Sequence, residues 1–260
     1  MKVVLLAGGY GTRISEETSI RPKPMVEIGG KPILWHIMRQ YAAHGLKDFV
    51  ICAGYKSEYI RNYFLNYRNS RSNFTINLQS GQVEFHETEA EDWNVTVVDT
   101  GLKTMTGGRI KAARPYIGEE RFCLTYGDGV SDVNITDLIS RHDASGAYAT
   151  VTAVVQPGRF GGLSLDRDTG KVKSFREKAA DDGNVINGGF FVCEPAVFDY
   201  IDGSDTVWER DPLERLVGDD KLNAYTHRGF WQPMDTLRDK NYLEDIWATG
   251  NAPWVPASAK

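Results

Sequence analysis

The chain has 260 residues, is 41% hydrophobic and 25% charged, and carries a net charge of −5. These proportions are those of a globular protein; they exclude a disordered or collagen-like chain and give no electrostatic reason to expect nucleic acid or an anionic membrane as a partner. No apolar run approaches the roughly 18 residues of a membrane span, and Cys52, Cys123 and Cys193 form neither a CxxC nor a metal-ligand spacing, so the sequence reads as a cytoplasmic protein with reduced, buried thiols.

Short apolar runs alternate with helical patterns from the first residue. Lys2–Ala7 is continuously apolar and β-branched, as a buried parallel strand should be. Pro32–Gly45 predicts a helix: Pro32 suits the first turn, Ile33, Leu34, Ile37, Met38 and Tyr41 share a face, and Gly45 ends it. Phe49–Ala53 predicts the next strand, and Ser57–Tyr67 a second amphipathic helix with Ser57 as its cap. This β-α-β-α start implies a parallel sheet. Further strands are predicted at Phe74–Leu78, Asn94–Asp99, Phe122–Tyr126, Ala149–Val155, Val172–Glu177, Val185–Val192 and Leu222–Thr226. Further helices are predicted at Gly107–Ala113, Ile135–Ser145, Pro195–Tyr200, Pro212–Val217 and Thr236–Thr249. With no linker or repeat, residues 1–260 read as one domain, and the polar segment 66–92 as a hairpin excursion, a lid or a subunit contact.

The first strand runs into Gly8-Gly9-Tyr10-Gly11-Thr12-Arg13. Glycines let a backbone approach a ligand closely, and N–H groups in such a turn can converge on phosphate oxygens, with Arg13 adding a cationic fork. A tight turn without ligand is the plain alternative. A dinucleotide motif fits badly, because Ile14 stands at the third glycine position and a polar loop, Ser15–Arg21, follows in place of a helix. Arg21-Pro22-Lys23-Pro24 comes next; the two prolines stiffen the backbone around Lys23, and Arg13, Arg21 and Lys23 supply three cations close to the turn. The alternative is a solvated proline-rich loop.

Two aspartates stand far apart in sequence. Asp128 lies between Gly127 and Gly129 after the strand Phe122–Tyr126, and Asp235 precedes the last helix, where it would otherwise serve as the N-cap. As a pair they suggest Mg²⁺, which takes one or two carboxylates and completes its shell with phosphate oxygens and water. His36, His44, His86, His142 and His227 are scattered and read as structural.

Taken together, Leu6–Arg13, Pro22-Lys23-Pro24, Gly127-Asp128-Gly129, Glu177-Lys178 and Asn187-Gly188-Gly189-Phe190 resemble, in order and spacing, the sugar-1-phosphate nucleotidylyltransferases. The likeness extends to about Trp254. Ile14–Ile20, where many relatives carry Arg-Pro-Leu-Thr, and the stretches Trp93–Thr96, Asp99–Gly101, Thr104–Arg109, Gly158–Gly162 and Trp231–Lys240 resemble the cytidylyl branch in particular. The resemblance implies a single Rossmann-like α/β domain of the nucleotide-diphospho-sugar transferase type, with a mixed, mostly parallel central sheet flanked by helices. It implies CTP and glucose 1-phosphate as substrates, Mg²⁺ as cofactor, a role in deoxysugars of surface polysaccharide, and a homo-oligomer, trimer or hexamer.

Roles follow from the same resemblance. Leu6, Ala7, Gly8, Gly9, Gly11 and Thr12 would line the nucleotide, Arg13 would hold the departing phosphates, and Lys23 would stabilise charge at the α-phosphate. Asp128 and Asp235 would hold the metal. Lys178 would bind the sugar phosphate, with Glu177, Asn187, Gly188 and Gly162 (in a turn) around the sugar; Trp231 would either stack on it or simply pack. Thr104, Gly107 and Arg109 would face the base, Arg109 donating to the O2 and N3 edge of cytosine unless it sits on a solvated helix face. UTP or dTTP with the same chemistry, a silent regulatory subunit and a nicotinamide oxidoreductase are the rival readings.

Overall fold

Strand β1 (Lys2–Ala7) sends Val3, Leu5 and Ala7 into one apolar core and Val4 and Leu6 into another. Burial on both faces is why its sequence is continuously apolar rather than alternating. In this computed structural model, which describes residues 1–155, 162–165, 172–176 and 185–255, β1 lies inside a seven-stranded sheet.

After β1 come a 3-10 turn (Thr12–Ile14), a single-turn helix α1 (Ser15–Thr18), a second 3-10 turn (Lys23–Met25) and the small strands β2 (Glu27–Ile28) and β3 (Lys31–Pro32). Helix α2 (Ile33–Ala43), β4 (Asp48–Ala53), α3 (Ser57–Leu65) and α4 (Tyr67–Ser70) lead to the strands β5 (Ser72–Ile76) and β6 (Val83–Thr88), then β7 (Asn94–Asp99) and α5 (Thr106–Ile117). The chain continues through β8 (Phe122–Tyr126), β9 (Gly129–Ser131), α6 (Ile135–Asp143), β10 (Ala149–Val155), β11 (Gly162–Leu165), β12 (Val172–Arg176) and β13 (Val185–Cys193). A 3-10 helix (Pro195–Tyr200), α7 (Asp211–Gly218), β14 (Leu222–His227), β15 (Trp231–Pro233) and α8 (Leu237–Ala248) complete the described elements.

The main sheet has the order β14-β10-β13-β8-β1-β4-β7. All its pairings are parallel except those of β13, which runs antiparallel to β8 and β10. One face carries α2, α6 and α8, with Ile37, Met38, Tyr41, Leu138 and Leu243 buried. The other carries α5, the 3-10 helix and α7, with Ile110, Ala113, Phe198, Trp208 and Leu216 buried. This is the mixed, mostly parallel α/β domain that the sequence predicts. Cys52, Cys123 and Cys193 are free and buried, as expected, and burial raises each thiol's pKa.

Several local expectations need correction. The stretch 15–21 begins with the short helix α1 rather than a loop. Pro32 precedes α2 with an extended ψ of 143° and does not form its first turn. Ser57 is the first residue of α3, not its cap; the cap position is Lys56 at φ 51°, with no side-chain cap bond. Segment 66–92 contains an antiparallel hairpin, β5 with β6.

Candidate active site

Asp128 and Asp235 meet because β9 pairs with β15. Trp231 lies opposite Ser131 and Pro233 opposite Gly129, and the Met234 N–H donates to the Asp128 carbonyl at 2.8 Å. The ribbon is held at its far end by Ser131, whose hydroxyl donates to the Phe230 carbonyl at 2.7 Å, and by His227, 2.9 Å from Asp132. Asp235 is not the N-cap of the last helix. Thr236 is, in a capping box: its hydroxyl accepts from the Asp239 N–H, and the Asp239 carboxylate accepts from the Thr236 N–H at 2.8 Å. The Asp235 carboxylate is therefore available to the site.

Lys23 sits between the two acids. Its Nζ donates to Asp128 Oδ2 and to Asp235 Oδ1, both at 2.7 Å, and the residue is only 7% exposed. Burial alone would lower the lysine pKa, but the two carboxylates more than offset it and the pKa lies above its ordinary value. Pro22 is extended, with ψ 150°, and Pro24 follows in a 3-10 turn, so the prolines fix where the side chain starts. Arg13, largely exposed, donates from Nη1 to Asp235 Oδ2 at 2.8 Å. Arg21 does not join this cluster; it pairs with Glu27 at 2.7 Å.

The glycine turn packs against the same group. Gly11 has φ 63°, and a Cβ there would lie 2.8 Å from Thr18 Cγ2 and 3.0 Å from Lys23 Cβ, so both the conformation and the space require glycine. The Leu6 carbonyl, at the end of β1, accepts from the Gly127 N–H at 3.0 Å, which ties the turn to the strand end bearing Asp128. Ala7 is buried beside it, whereas Gly9 and Thr12 are exposed. A Cβ on Gly9 would meet nothing within 4 Å.

Arg109 is buried at 5% exposure, which overturns the solvated-face reading. Its Nη1 donates to Thr100 Oγ1 at 2.7 Å and the Gly101 carbonyl at 2.8 Å; its Nη2 donates to the Gly8 carbonyl at 3.0 Å. The guanidinium thus clasps the glycine turn to the loop after β7. A Cβ on Gly8 would fall 2.2 Å from Nη1, which explains this glycine. Thr104 lies at the same loop, its hydroxyl 2.8 Å from where a Gly101 Cβ would stand. Gly107 is buried, and a Cβ there would meet the Thr206 carbonyl at 2.8 Å, so α5 packs closely on residue 206 at this point.

Among the residues expected near the sugar, Glu177 and Lys178 lie outside the described residues. Gly162 is not in a turn; it opens β11 opposite Arg176. Gly188 is buried, and a Cβ would lie 2.6 Å from Val154 Cγ1, so its missing side chain accommodates β10. Trp231 is partly buried against the core, and its indole N–H donates to the Gly188 carbonyl at 2.8 Å. Asn187 is exposed and donates from Nδ2 to the Tyr126 hydroxyl at 3.3 Å. Tyr126 and its partner Glu209 have no role in the motif reading. Tyr126 stands inside a recognisable string, but nothing in the local sequence of Glu209 marks it.

The residues fit magnesium. Two carboxylates share one ammonium at the mouth of a phosphate-suited turn, and among the described residues no group of three or more potential ligands forms a protein cage. Two carboxylates completed by phosphate oxygens and water are the donor set this ion favours.

A family model described as Nucleotidyl transferase matches residues 2–239, and the chain belongs to that family. It is 55% identical over 255 residues to a glucose-1-phosphate cytidylyltransferase of Salmonella typhi, covering 98% of each chain. It is 45% identical over 256 residues to a probable glucose-1-phosphate cytidylyltransferase of Bacillus subtilis (strain 168), covering 98% of this chain and 99% of the other. Among solved structures, HddC from Yersinia pseudotuberculosis has a TM-score of 0.70 at 23% identity, with 95% and 99% of the two chains covered. A UDP-glucose pyrophosphorylase complexed with UDP-glucose has a TM-score of 0.67 at 17% identity, with 96% and 99% covered. At such identities the structural likeness speaks for the fold.

Proposed function

We propose that the chain transfers the cytidylyl group of CTP to glucose 1-phosphate, giving CDP-glucose and pyrophosphate. The observation that carries this reading is the convergence of Lys23, Arg13, Asp128 and Asp235 beside the glycine turn, in a chain 55% identical along its length to a protein of that activity. The sugar phosphate is already an anion, so its oxygen attacks the α-phosphorus without a general base. The protein's work is to position two anions and stabilise the charge that develops.

Lys23 serves the α-phosphate, turning from its carboxylate partners to the phosphoryl oxygens, and Arg13 serves the departing pyrophosphate. Gly8, Gly9 and Gly11 shape the nucleotide side. Arg109, anchored to Gly8 and the 100–102 turn, is the proposed donor to the O2 and N3 edge of cytosine; uracil and thymine carry an N3 donor there and would leave it opposed. Asp128 and Asp235 would hold Mg²⁺, which supplies charge neutralisation along the phosphates. Asn187 and the Glu177-Lys178 pair serve the sugar phosphate. A homo-oligomer, a cytoplasmic location and a supply of CDP-glucose to surface-polysaccharide deoxysugars belong to the same proposal.

The test is product identification: purified protein with Mg²⁺, CTP and either glucose 1-phosphate or its galactose and mannose counterparts, the products resolved by chromatography. CDP-glucose formed in preference to the other two supports the reading. A CDP-sugar formed faster from either epimer replaces glucose and leaves the nucleotide assignment in place.

A further inference from the structure

Glu209 lies just before α7, half-buried, and its carboxylate takes two hydroxyl protons. Oε1 accepts from the Tyr126 hydroxyl at 2.6 Å, and Oε2 accepts from Thr106 Oγ1 at 2.7 Å. Thr106 Oγ1 in turn accepts from the Trp208 N–H at 2.9 Å. On the other side, Asn187 donates to Tyr126, and Asn187 Oδ1 accepts from the Gly189 N–H at 2.8 Å.

The donors and acceptors leave one assignment. The Gly189 N–H can only donate, so Oδ1 faces it and the amide nitrogen faces Tyr126. The Tyr126 oxygen accepts that amide proton, so its own proton goes to Glu209. A bond to an ionised acceptor is the stronger kind. Burial first, and then the Glu209 charge, hold the Tyr126 pKa above its ordinary value, so the phenol keeps its proton. Gly189 lies against the Tyr126 ring: at φ 87°, a Cβ there would fall 2.5 Å from Tyr126 Cδ2, so only glycine lets the ring and Asn187 come this close.

We infer that Glu209 is a positioning residue for the sugar phosphate: by taking the proton of Tyr126 it leaves the phenol oxygen to accept from Asn187, and so, together with the Gly189 N–H, holds in place the exposed amide that the proposed function sets beside a sugar hydroxyl. The inference rests on the function proposed above. Its other oxygen anchors Thr106, the first residue of α5, the helix that carries Arg109. The sugar side and the nucleotide side thus share one carboxylate, but Thr106 is also held by the Trp208 N–H, so the nucleotide side depends on Glu209 less.

The test uses Glu209→Leu, Glu209→Gln, Tyr126→Phe and the Glu209→Leu/Tyr126→Phe pair, each measured for KM of both substrates, kcat and melting temperature beside the wild type. Glu209→Leu should raise the KM for glucose 1-phosphate at least tenfold while the KM for CTP stays within threefold. Tyr126→Phe should do the same, and the pair should be no worse than Glu209→Leu alone. Glu209→Gln, whose Oε1 still accepts from Tyr126, should recover most of the loss. An unchanged KM for glucose 1-phosphate in a folded variant overturns the inference, as does an equal rise in both KM values. If Glu209→Leu does not fold, Tyr126→Phe, which removes a single oxygen, decides the matter alone. A wild type that makes no CDP-glucose overturns the functional reading; a normal wild type with unaffected variants overturns only this inference.

Discussion

Asp128 and Asp235 each place a carboxylate oxygen 2.7 Å from the same Lys23 ammonium, although 107 positions separate them in the sequence. The β9–β15 ribbon produces this meeting, and without its register the two acids would have no reason to converge. Asp128→Asn and Asp235→Asn should each lower turnover by a factor on the order of 10²–10³, the scale of one lost electrostatic stabiliser. Both should also move the Mg²⁺ dependence of the rate to higher concentration. Steady-state rates across a magnesium titration check this; a full rate in either variant at the wild-type magnesium optimum argues against the metal assignment.

Under the proposed metal assignment, Lys23 and a cation compete for the same two carboxylates. Lys23→Met should reduce turnover by about 10²–10³ and at the same time tighten Mn²⁺ binding in the absence of nucleotide, because two facing carboxylates then lack a counter-charge. Electron spin resonance of free Mn²⁺ reads the second effect directly. Unchanged or weaker Mn²⁺ binding would show that Lys23 does not guard the pair. The raised Lys23 pKa means that this ion pair stabilises the fold below the ordinary lysine value of 10.5 and is lost only as pH climbs through the higher folded value.

Gly8 and Gly9 are adjacent, yet the structure asks different things of them. Gly8→Ala forces a Cβ within 2.2 Å of the Arg109 guanidinium. It should cost about 1–3 kcal/mol, as overpacking does, along with activity. Gly9→Ala meets no protein atom within 4 Å. It should leave the denaturation midpoint unchanged and raise the KM for the triphosphate. Urea unfolding and nucleotide KM together separate the two; equal effects on stability would contradict the geometry.

His36 gives the fold an acid sensitivity. It is buried, its Nε2 hydrogen-bonds to the Ile28 carbonyl at 2.8 Å, and its Nδ1 accepts from the Trp254 indole at 3.3 Å. Burial pulls its pKa down to about 4 from 6.5. The unfolded chain therefore takes the proton first. Stability is complete above pH 6.5 and falls, by up to about 3 kcal/mol, as pH drops toward 4. Urea midpoints between pH 7 and pH 4.5 should decline more steeply in the wild type than in His36→Leu. Parallel declines would remove His36 from the account.

The sheet was legible because its strands are long and apolar. Asn94–Asp99, Phe122–Tyr126 and Ala149–Val155 have the bounds that their composition suggests. The glycine turn, Lys23 and both aspartates were legible as motifs. What joins them was not. Strands β9 and β15 have three residues each, too few to show a period, and a pairing across about a hundred residues leaves no local mark. Whether Arg109 faces the base or sits on a solvated helix face is left open by its local sequence; the packing of Gly107 and Gly108 against residues 204–206 draws its helix inward. That helix also runs past Ala113 to Ile117, with Pro115 inside its last turn. The Glu209–Tyr126–Asn187 chain is a purely tertiary arrangement, with no spacing to announce it.

The central claim, that this assembly moves a cytidylyl group, is tested most directly by pyrophosphate release from the wild-type protein with glucose 1-phosphate, Mg²⁺ and, in turn, CTP, UTP, dTTP and ATP. The account predicts release with CTP far above the other three. Faster release with UTP or dTTP would contradict the base assignment at Arg109, and no release with any of the four would contradict the proposed reaction itself.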